Sequence, residues 1–158
     1  MPEMDLAHAR TDHQKGVMER AIKDGVCSFC EDFCRGKPPT YHTNPVIKDG
    51  TWWVLTTNFA PQNGAQLQFL IVYKDHVNTP TLLPPEAWIE LGEITRWALE
   101  DNRIEGGALY MRFGDTEYSG ATMSHLHANI IFGGTTRALH PNATPVRIKV
   151  GYAIAAPT

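Results

Sequence analysis

The stretch that most constrains the fold is LQFLIVY (67–73), a nearly unbroken run of apolar residues. Such residues favour extended strands, and a strand with almost no polar positions is predicted to lie at the centre of a sheet. Further segments with the composition of strands occupy residues 51–57, 106–113, 124–132 and 145–154. The last of these alternates apolar and polar residues, as a half-buried strand does.

Two segments are predicted to be helical, residues 11–24 and residues 84–101. In the second, Trp88, Leu91 and Ile94 recur at helical spacing, glutamates fall largely on the other side, and prolines suit the first turn. Helices combined with several neighbouring strands predict an α+β domain. In this domain one long helix packs across a mostly antiparallel sheet.

Composition and charge suggest a cytoplasmic domain. The chain has 158 residues, enough for one core, and its net charge of −3 does not suggest a general nucleic-acid or membrane surface. No apolar run approaches the roughly 18 residues of a membrane span, and the N-terminal residues lack the apolar core of a signal peptide. Three cysteines clustered within eight residues suggest reduced thiols or metal ligands.

The segment MSHLHANIIF (123–132) carries His125, His127 and Asn129 at alternate positions. Alternate residues of a strand share a face, so these side chains lie side by side, opposite an apolar face. Such histidines can bind a metal, can act as nucleophile or base, or can be ordinary polar positions on a half-exposed face. The hydroxyls of Thr122 and Ser124 precede them, and we expect this approach to bind an anionic substrate.

Several motifs, in this order along the chain, resemble the histidine triad (HIT) superfamily. CSFC resembles the Cys-x-Phe-Cys opening of the family, and TTNFAPQNGAQLQFLIVYKDHV resembles its loop, apolar strand and Lys-x-His element. TLLPPEAWIELGEI resembles the approach to its long helix, and SGATMSHLHANII resembles its Gly-, hydroxyl- and His-rich signature. The resemblance covers roughly residues 26–132.

The resemblance implies a HIT-like α+β fold with an antiparallel five-stranded sheet. We assign this domain to residues 26–158 and expect an N-terminal helical extension over residues 1–25. The resemblance also implies a homodimer. Apolar sheet and helix surfaces around residues 67–72 and 88–99 are the expected contacts.

The implied activity is attack on the α-phosphate of a nucleotide. The middle histidine, His127, becomes nucleotidylated, and water or another acceptor then takes the nucleotidyl group. In the family the main-chain carbonyl of the first histidine, here His125, sets the tautomer of the nucleophile. Thr122 occupies the position of a phosphate-contacting hydroxyl, and Asn58 is expected to line the nucleotide pocket. Arg112 is either a phosphate clamp or a solvated strand end.

Asn129 departs from the family pattern, since hydrolase branches usually carry histidine there and transferase branches often carry glutamine. An amide can donate a hydrogen bond to phosphate but cannot donate a proton to a leaving group. Asn129 therefore favours groups that leave as stable anions, such as phosphate or pyrophosphate. Three interpretations stay open: a nucleotidyltransferase or phosphorylase, a slow hydrolase, and a zinc-stabilised nucleotide-binding protein with little or no turnover.

Cys27 and Cys30 have the Cys-x₂-Cys spacing that lets two thiolates reach one metal. The resemblance implies that His76 and His125 complete a structural zinc site, which would fix the orientation of His125. Small, buried, reduced thiols are the alternative. A further rival is a metalloenzyme in which His125 and His127 ligate one catalytic metal. The histidines at positions 8, 13, 42 and 140 are interpreted as surface or loop residues.

Overall fold

The computed structural model describes residues 4–36 and 38–154. A five-stranded sheet in the order β1-β2-β3-β5-β4 forms its centre, and every adjacent pair is antiparallel. The strands are Val46–Asp49 (β1), Trp53–Thr57 (β2), Leu67–Tyr73 (β3), Ala108–Arg112 (β4) and His127–Phe132 (β5). The predicted central position of 67–73 and the predicted α+β class are both confirmed.

A long helix, α2 (Pro85–Asp101), packs across one face of the sheet, as the sequence predicted. Ala87, Leu91 and Ile94 are buried against side chains of β2, β3 and β5. Trp88 differs from the expectation, because 47% of its surface is exposed and the small Ala87 faces the core instead. None of the described helices is long and apolar enough to cross a membrane.

The N-terminal segment covers the opposite face of the sheet. Its helix α1 (Asp12–Asp24) begins after Thr11, whose side chain accepts a hydrogen bond from a backbone amide of the first turn. The helix ends at Gly25, where a φ of +69° favours glycine. Val17 and Met18 pack against side chains of β2 and β3. The described part of this segment therefore belongs to the core of the molecule.

A π-helical turn, Cys30–Cys34, follows α1 and organises the next loop. The buried Asp32 carboxylate accepts hydrogen bonds from the backbone amides of Thr40, Tyr41 and His42 and from the His42 ring. Burial alone would raise the pKa of Asp32, but these hydrogen bonds outweigh it and hold the pKa below its ordinary value. His42 lies in a loop before β1, as predicted, but it is buried rather than on the surface, since only 4% of it is exposed.

Two strand predictions fail at the ends of the sheet. β1 (Val46–Asp49) was not predicted, because four mostly exposed residues carry almost no periodic signal. The described residues of 145–154 form no strand, although their sequence alternates. Val150 and Ile154 are 74% and 97% exposed, and Val146 and Ile148 are only half-buried, so this apolar set is not covered as the face of a sheet would be. Alternation alone does not provide a strand partner or a covering layer.

The expected dimer surface around residues 67–72 is not available. β3 is central, and its side chains are buried alternately against the two layers that cover the sheet. The other expected surface, residues 88–99, does expose Trp88 and Ile89 on α2. Leu109 and Phe113 are further exposed apolar residues, on and beside edge strand β4. The homodimer stays a prediction, and these residues are its available surface.

Candidate active site and metal cluster

His127 and Asn129 lie on the face of β5 that α1 covers, whereas Ala128 points to the α2 side. This arrangement agrees with the alternation predicted for the segment. In the register of the sheet, Arg112 on β4 lies opposite His127, and Tyr110 lies opposite Asn129. Directly paired residues of antiparallel strands share a face, so β4 and β5 present these four side chains together.

The His127 ring is held in one tautomer. Its Nδ1–H donates a hydrogen bond of 2.7 Å to the main-chain carbonyl of His125, which can only accept. The lone pair of the neutral ring is therefore on Nε2. The ring is buried against Phe29, and burial lowers its pKa to about 4, with smaller contributions from the charges of Arg112 and Arg10. His127 thus presents an unprotonated nitrogen at neutral pH.

Asn129 is held by two other amides. Asn58 Nδ2 and Gln68 Nε2 donate to its Oδ1 at 3.2 Å and 2.9 Å. Gln68 is itself fixed, because its Oε1 accepts from the backbone amide of Gln62 at 2.7 Å. Asn129 therefore keeps its Nδ2 amide as a donor for a ligand. Sequence reasoning missed Gln68, although it is the only polar residue between Leu67 and Val72.

A cavity of about 30 Å³ adjoins these groups. It is lined by His127 and Asn129 together with the predicted Thr122, Arg112 and Asn58. A volume of this size holds about one or two water molecules. The half-buried Ser124 is not among the lining residues, so the structure brings together all of the expected substrate-binding residues except this one.

Arg112 is not a solvated strand end. Its guanidinium donates from Nη1 to the carbonyl of Gly120 at 2.7 Å and lies 5.5 Å from the centre of the Tyr110 ring. Its Nε is buried. The guanidinium therefore lines the cavity beside His127, which is the arrangement that a phosphate clamp requires.

The N-terminal segment contributes Arg10 and Gln14 to the same cavity, and sequence reasoning missed both. The Arg10 guanidinium donates to the carbonyl of Ala60, and the Arg10 backbone amide donates to Gln14 Oε1 at 2.9 Å. The backbone amide of Gln14 in turn donates to Thr11 Oγ1 at 3.0 Å. The sequence Thr-Asp-His-Gln has the form of a capping box, which signals a helix start but not the surface against which the helix packs.

The predicted metal ligands Cys27, Cys30, His76 and His125 form one cluster, with ligand atoms all within 4.8 Å of one another. His125 Nε2–H donates to the Tyr73 carbonyl at 2.7 Å, which leaves the Nδ1 lone pair to face the thiols. His125 Nδ1 lies 3.5 Å from each sulfur, and His76 Nδ1 lies 3.2 Å from Cys30 Sγ.

These distances fit tetrahedral zinc. Zn–S bonds of about 2.3 Å and Zn–N bonds of about 2.0 Å place sulfur and nitrogen about 3.5 Å apart. Burial raises the pKa of the Cys27 thiol to about 12, so a metal would have to displace its proton on binding. Within the described residues the cluster does not include His127. A shared metal on His125 and His127, the rival arrangement, therefore does not match the geometry.

The chain is similar to known proteins in its structure rather than in its sequence. No protein-family model and no curated protein sequence matches the chain. Among solved structures, a HIT-like protein is 19% identical, with a TM-score of 0.53 over 66% of this chain and 96% of that chain. A HIT family hydrolase from Clostridium thermocellum is 20% identical, with a TM-score of 0.52 over 66% and 87%.

A hypothetical protein from Leishmania major is 14% identical, with a TM-score of 0.57 over 85% of this chain and 86% of that chain. These identities are low, so the likeness concerns the fold. The sheet and the long helix agree with the motifs read from the sequence. The chain therefore has the fold of the histidine triad proteins.

Proposed function

We propose that this protein cleaves nucleoside phosphates at the α-phosphate through a nucleotidyl intermediate on His127. The observation that carries the proposal is the hydrogen bond from His127 Nδ1–H to the His125 carbonyl, because it leaves the Nε2 lone pair as a nucleophile. In the first step the P–N bond forms as the P–O bond to the leaving group breaks. Water or another acceptor then attacks phosphorus, loses its proton to solvent, and releases His127.

The surrounding groups suit phosphoryl chemistry, in which catalysis depends on position and on neutralising phosphate oxygens. The Arg112 guanidinium, the Thr122 hydroxyl and the Asn129 Nδ2 amide line the cavity beside His127. The hydroxyl and the amide donate hydrogen bonds, and the guanidinium supplies positive charge, so none of the three serves as an acid for the leaving group. We therefore propose substrates whose leaving group departs as a stable anion, and a transferase or phosphorylase role before that of an ordinary hydrolase.

We further propose that Cys27, Cys30, His76 and His125 hold a structural zinc. The ion would join the segment after α1 to the residues that follow β3 and precede β5, and would orient the His125 ring. The His125 carbonyl would then present a fixed acceptor to His127. Paired thiols kept for a metal fit a reducing compartment, so we place the protein in the cytoplasm.

The test is a panel of dinucleoside polyphosphates, nucleoside phosphoramidates and sugar nucleotides, with and without added phosphate, with products separated by chromatography. His127→Ala should lower turnover by about 10³-fold or more and change nucleotide affinity little. His140→Ala is the control, because His140 is exposed in a loop. Undiminished turnover in His127→Ala would refute the mechanism. Nucleotide binding by the wild type without turnover would identify a binding protein.

A further inference from the structure

Two arginines share the cavity beside His127 without an acidic partner. Arg10 comes from the N-terminal segment and Arg112 from β4. Both guanidinium groups line the same small cavity. Burial lowers the pKa of Arg10, which Tyr110 opposes and the charge of Arg112 lowers further. Among the described residues, neither arginine forms an ion pair with a carboxylate. An anion bound between two such like charges would offset their repulsion.

The hydrogen bonds of these guanidinium groups are incomplete. Each group has five N–H donors. In each arginine one nitrogen donates to a backbone carbonyl, that of Ala60 for Arg10 and that of Gly120 for Arg112. The Nε atoms of Arg10 and Arg112 are the only buried side-chain nitrogens or oxygens without a partner in the described part of the chain. An unsatisfied buried donor on a cation is costly, and an oxyanion would satisfy it.

Arg10 is held in place by the surrounding chain. Its carbonyl acceptor lies in a tight turn, where the Ala60 amide donates to Asn58 Oδ1 at 2.9 Å. The backbone amide of Arg10 donates to Gln14 Oε1 at 2.9 Å. The same Asn58 also donates to Asn129 at 3.2 Å. One hydrogen-bonded network therefore connects the position of Arg10 to that of Asn129.

Arg10 also forms part of the wall of a second, larger space. An open cleft of about 870 Å³ is lined by Arg10, Arg147 and the loop 61–65. The cavity of about 30 Å³ at His127 is far smaller than a nucleotide, so most of a substrate must extend out of it. Arg10 lines both spaces, which makes it a contact for the group that follows the attacked phosphate.

We propose that Arg10 and Arg112 bind a second phosphate of the substrate, the one that departs when His127 attacks, and so select nucleotides with two or more phosphates. This inference rests on the proposed function. It explains how a site with Asn129 in place of an acid can work. A phosphate that leaves between two guanidinium groups has its charge neutralised and needs no proton.

The binding test uses inorganic pyrophosphate and inorganic phosphate as probes, titrated calorimetrically at fixed salt. The wild type should bind pyrophosphate more tightly than phosphate. Arg10→Gln should weaken pyrophosphate binding about tenfold or more, because a charge-assisted contact is lost. Arg96→Gln is the matched control, since Arg96 is exposed on α2 across the sheet, and it should bind as the wild type does. Unchanged pyrophosphate binding by Arg10→Gln would overturn the proposal.

Arg10→Lys retains the charge and provides a second variant if Arg10→Gln fails to fold, as judged by its thermal melt. It should bind pyrophosphate with intermediate affinity, because an ammonium cannot reproduce the planar fork. Affinity equal to that of the wild type would overturn the assignment of a guanidinium contact.

The turnover test compares a nucleoside polyphosphate with a nucleoside phosphoramidate, which has a single phosphate. Arg10→Gln should lower kcat/KM about tenfold or more for the polyphosphate and little for the phosphoramidate. Equal losses on both substrates would overturn the selective role of Arg10. If the wild type turned over neither substrate, the proposed function would fail, whereas the pyrophosphate titration would still decide whether the anion site exists.

Discussion

Asn129 has a fixed orientation, because the side chains of Asn58 and Gln68 both donate to its Oδ1. The Nδ2 amide is the part of the residue left to contact a substrate oxygen. In the proposed mechanism it provides a hydrogen bond but no proton, so bond cleavage depends there on how well the leaving group carries negative charge.

We predict that Asn129→His raises single-turnover rates about 10²-fold for amine and alkoxide leaving groups, because an imidazolium can protonate them. Rates for phosphate and pyrophosphate leaving groups should change only a few-fold. Asn129→Gln is the control, because it retains a neutral amide and should give no gain on either class. Equal gains on both classes in Asn129→His would show that Asn129 only weakens an ordinary hydrolase.

At the residue scale, the sequence predicted the side chains of β5 but not those brought to them from elsewhere. The two-residue period places His127 and Asn129 on one face regardless of the remaining fold. Arg10 and Gln68 reach the site through tertiary packing of α1 and through the register of β3 with β5. No local sequence pattern predicts the packing of α1 on the sheet or the register between β3 and β5.

Among the elements, α2 and the turn between β1 and β2 are joined by Glu90. Its carboxylate accepts hydrogen bonds of 2.7–2.8 Å from the backbone amides of Thr51, Trp52 and Trp53. Gly50 allows this approach, since a Cβ there would lie 2.8 Å from the carboxylate. The helix is thus fixed to the end of β2 by polar contacts in addition to its apolar face.

We predict that Glu90→Ala lowers the free energy of unfolding by about 1–3 kcal/mol, because three amide donors lose a charged acceptor. Glu93→Ala, at an exposed position of the same helix, should change it by no more than about 0.5 kcal/mol. Urea denaturation followed by circular dichroism measures both. Equal losses in the two variants would contradict a specific contribution from the three hydrogen bonds of Glu90.

Element prediction succeeded where periodicity was long or strong, as in α1, α2, β2 and β3. It failed for β1, whose four residues at the edge of the sheet are too few to show a period. It failed again for 145–154, where alternation exists without a strand partner. Whether a neighbouring strand is free to pair with a segment depends on the whole sheet, and the sequence of the segment alone does not show it.

For the whole molecule, the Cys27, Cys30, His76 and His125 cluster joins the segment after α1 to the sheet. We predict about one zinc per chain in protein grown with zinc. Cys30→Ser should lose the metal and lower the unfolding midpoint by several degrees, because metal affinity contributes to folding stability. Elemental analysis and thermal melts with and without chelator measure both effects.

Cys34→Ser is the control for the metal prediction, since Cys34 lies outside the cluster and its thiol donates to the Phe29 carbonyl. It should retain the metal. Wild-type protein without a stoichiometric transition metal would contradict the site, and so would equal metal loss from both variants.

We also predict a homodimer that uses the exposed apolar residues Trp88 and Ile89 on α2 and Leu109 on edge strand β4. Light scattering should give twice the chain mass of 17.6 kDa at micromolar concentrations. Ile89→Lys should shift the mass toward that of the monomer, because it places a charge in the interface. A monomer mass for the wild type across this range would refute the prediction.

The central claim is a covalent nucleotidyl group on His127, and intact-protein mass spectrometry of a reaction quenched within one turnover tests it most directly. With a nucleoside polyphosphate, the wild type should gain the mass of one nucleoside monophosphoryl group, carried by the peptide that contains His127. His127→Ala should gain none, and His140→Ala should behave as the wild type does. Turnover without any adduct, or an adduct that persists in His127→Ala, would contradict the account.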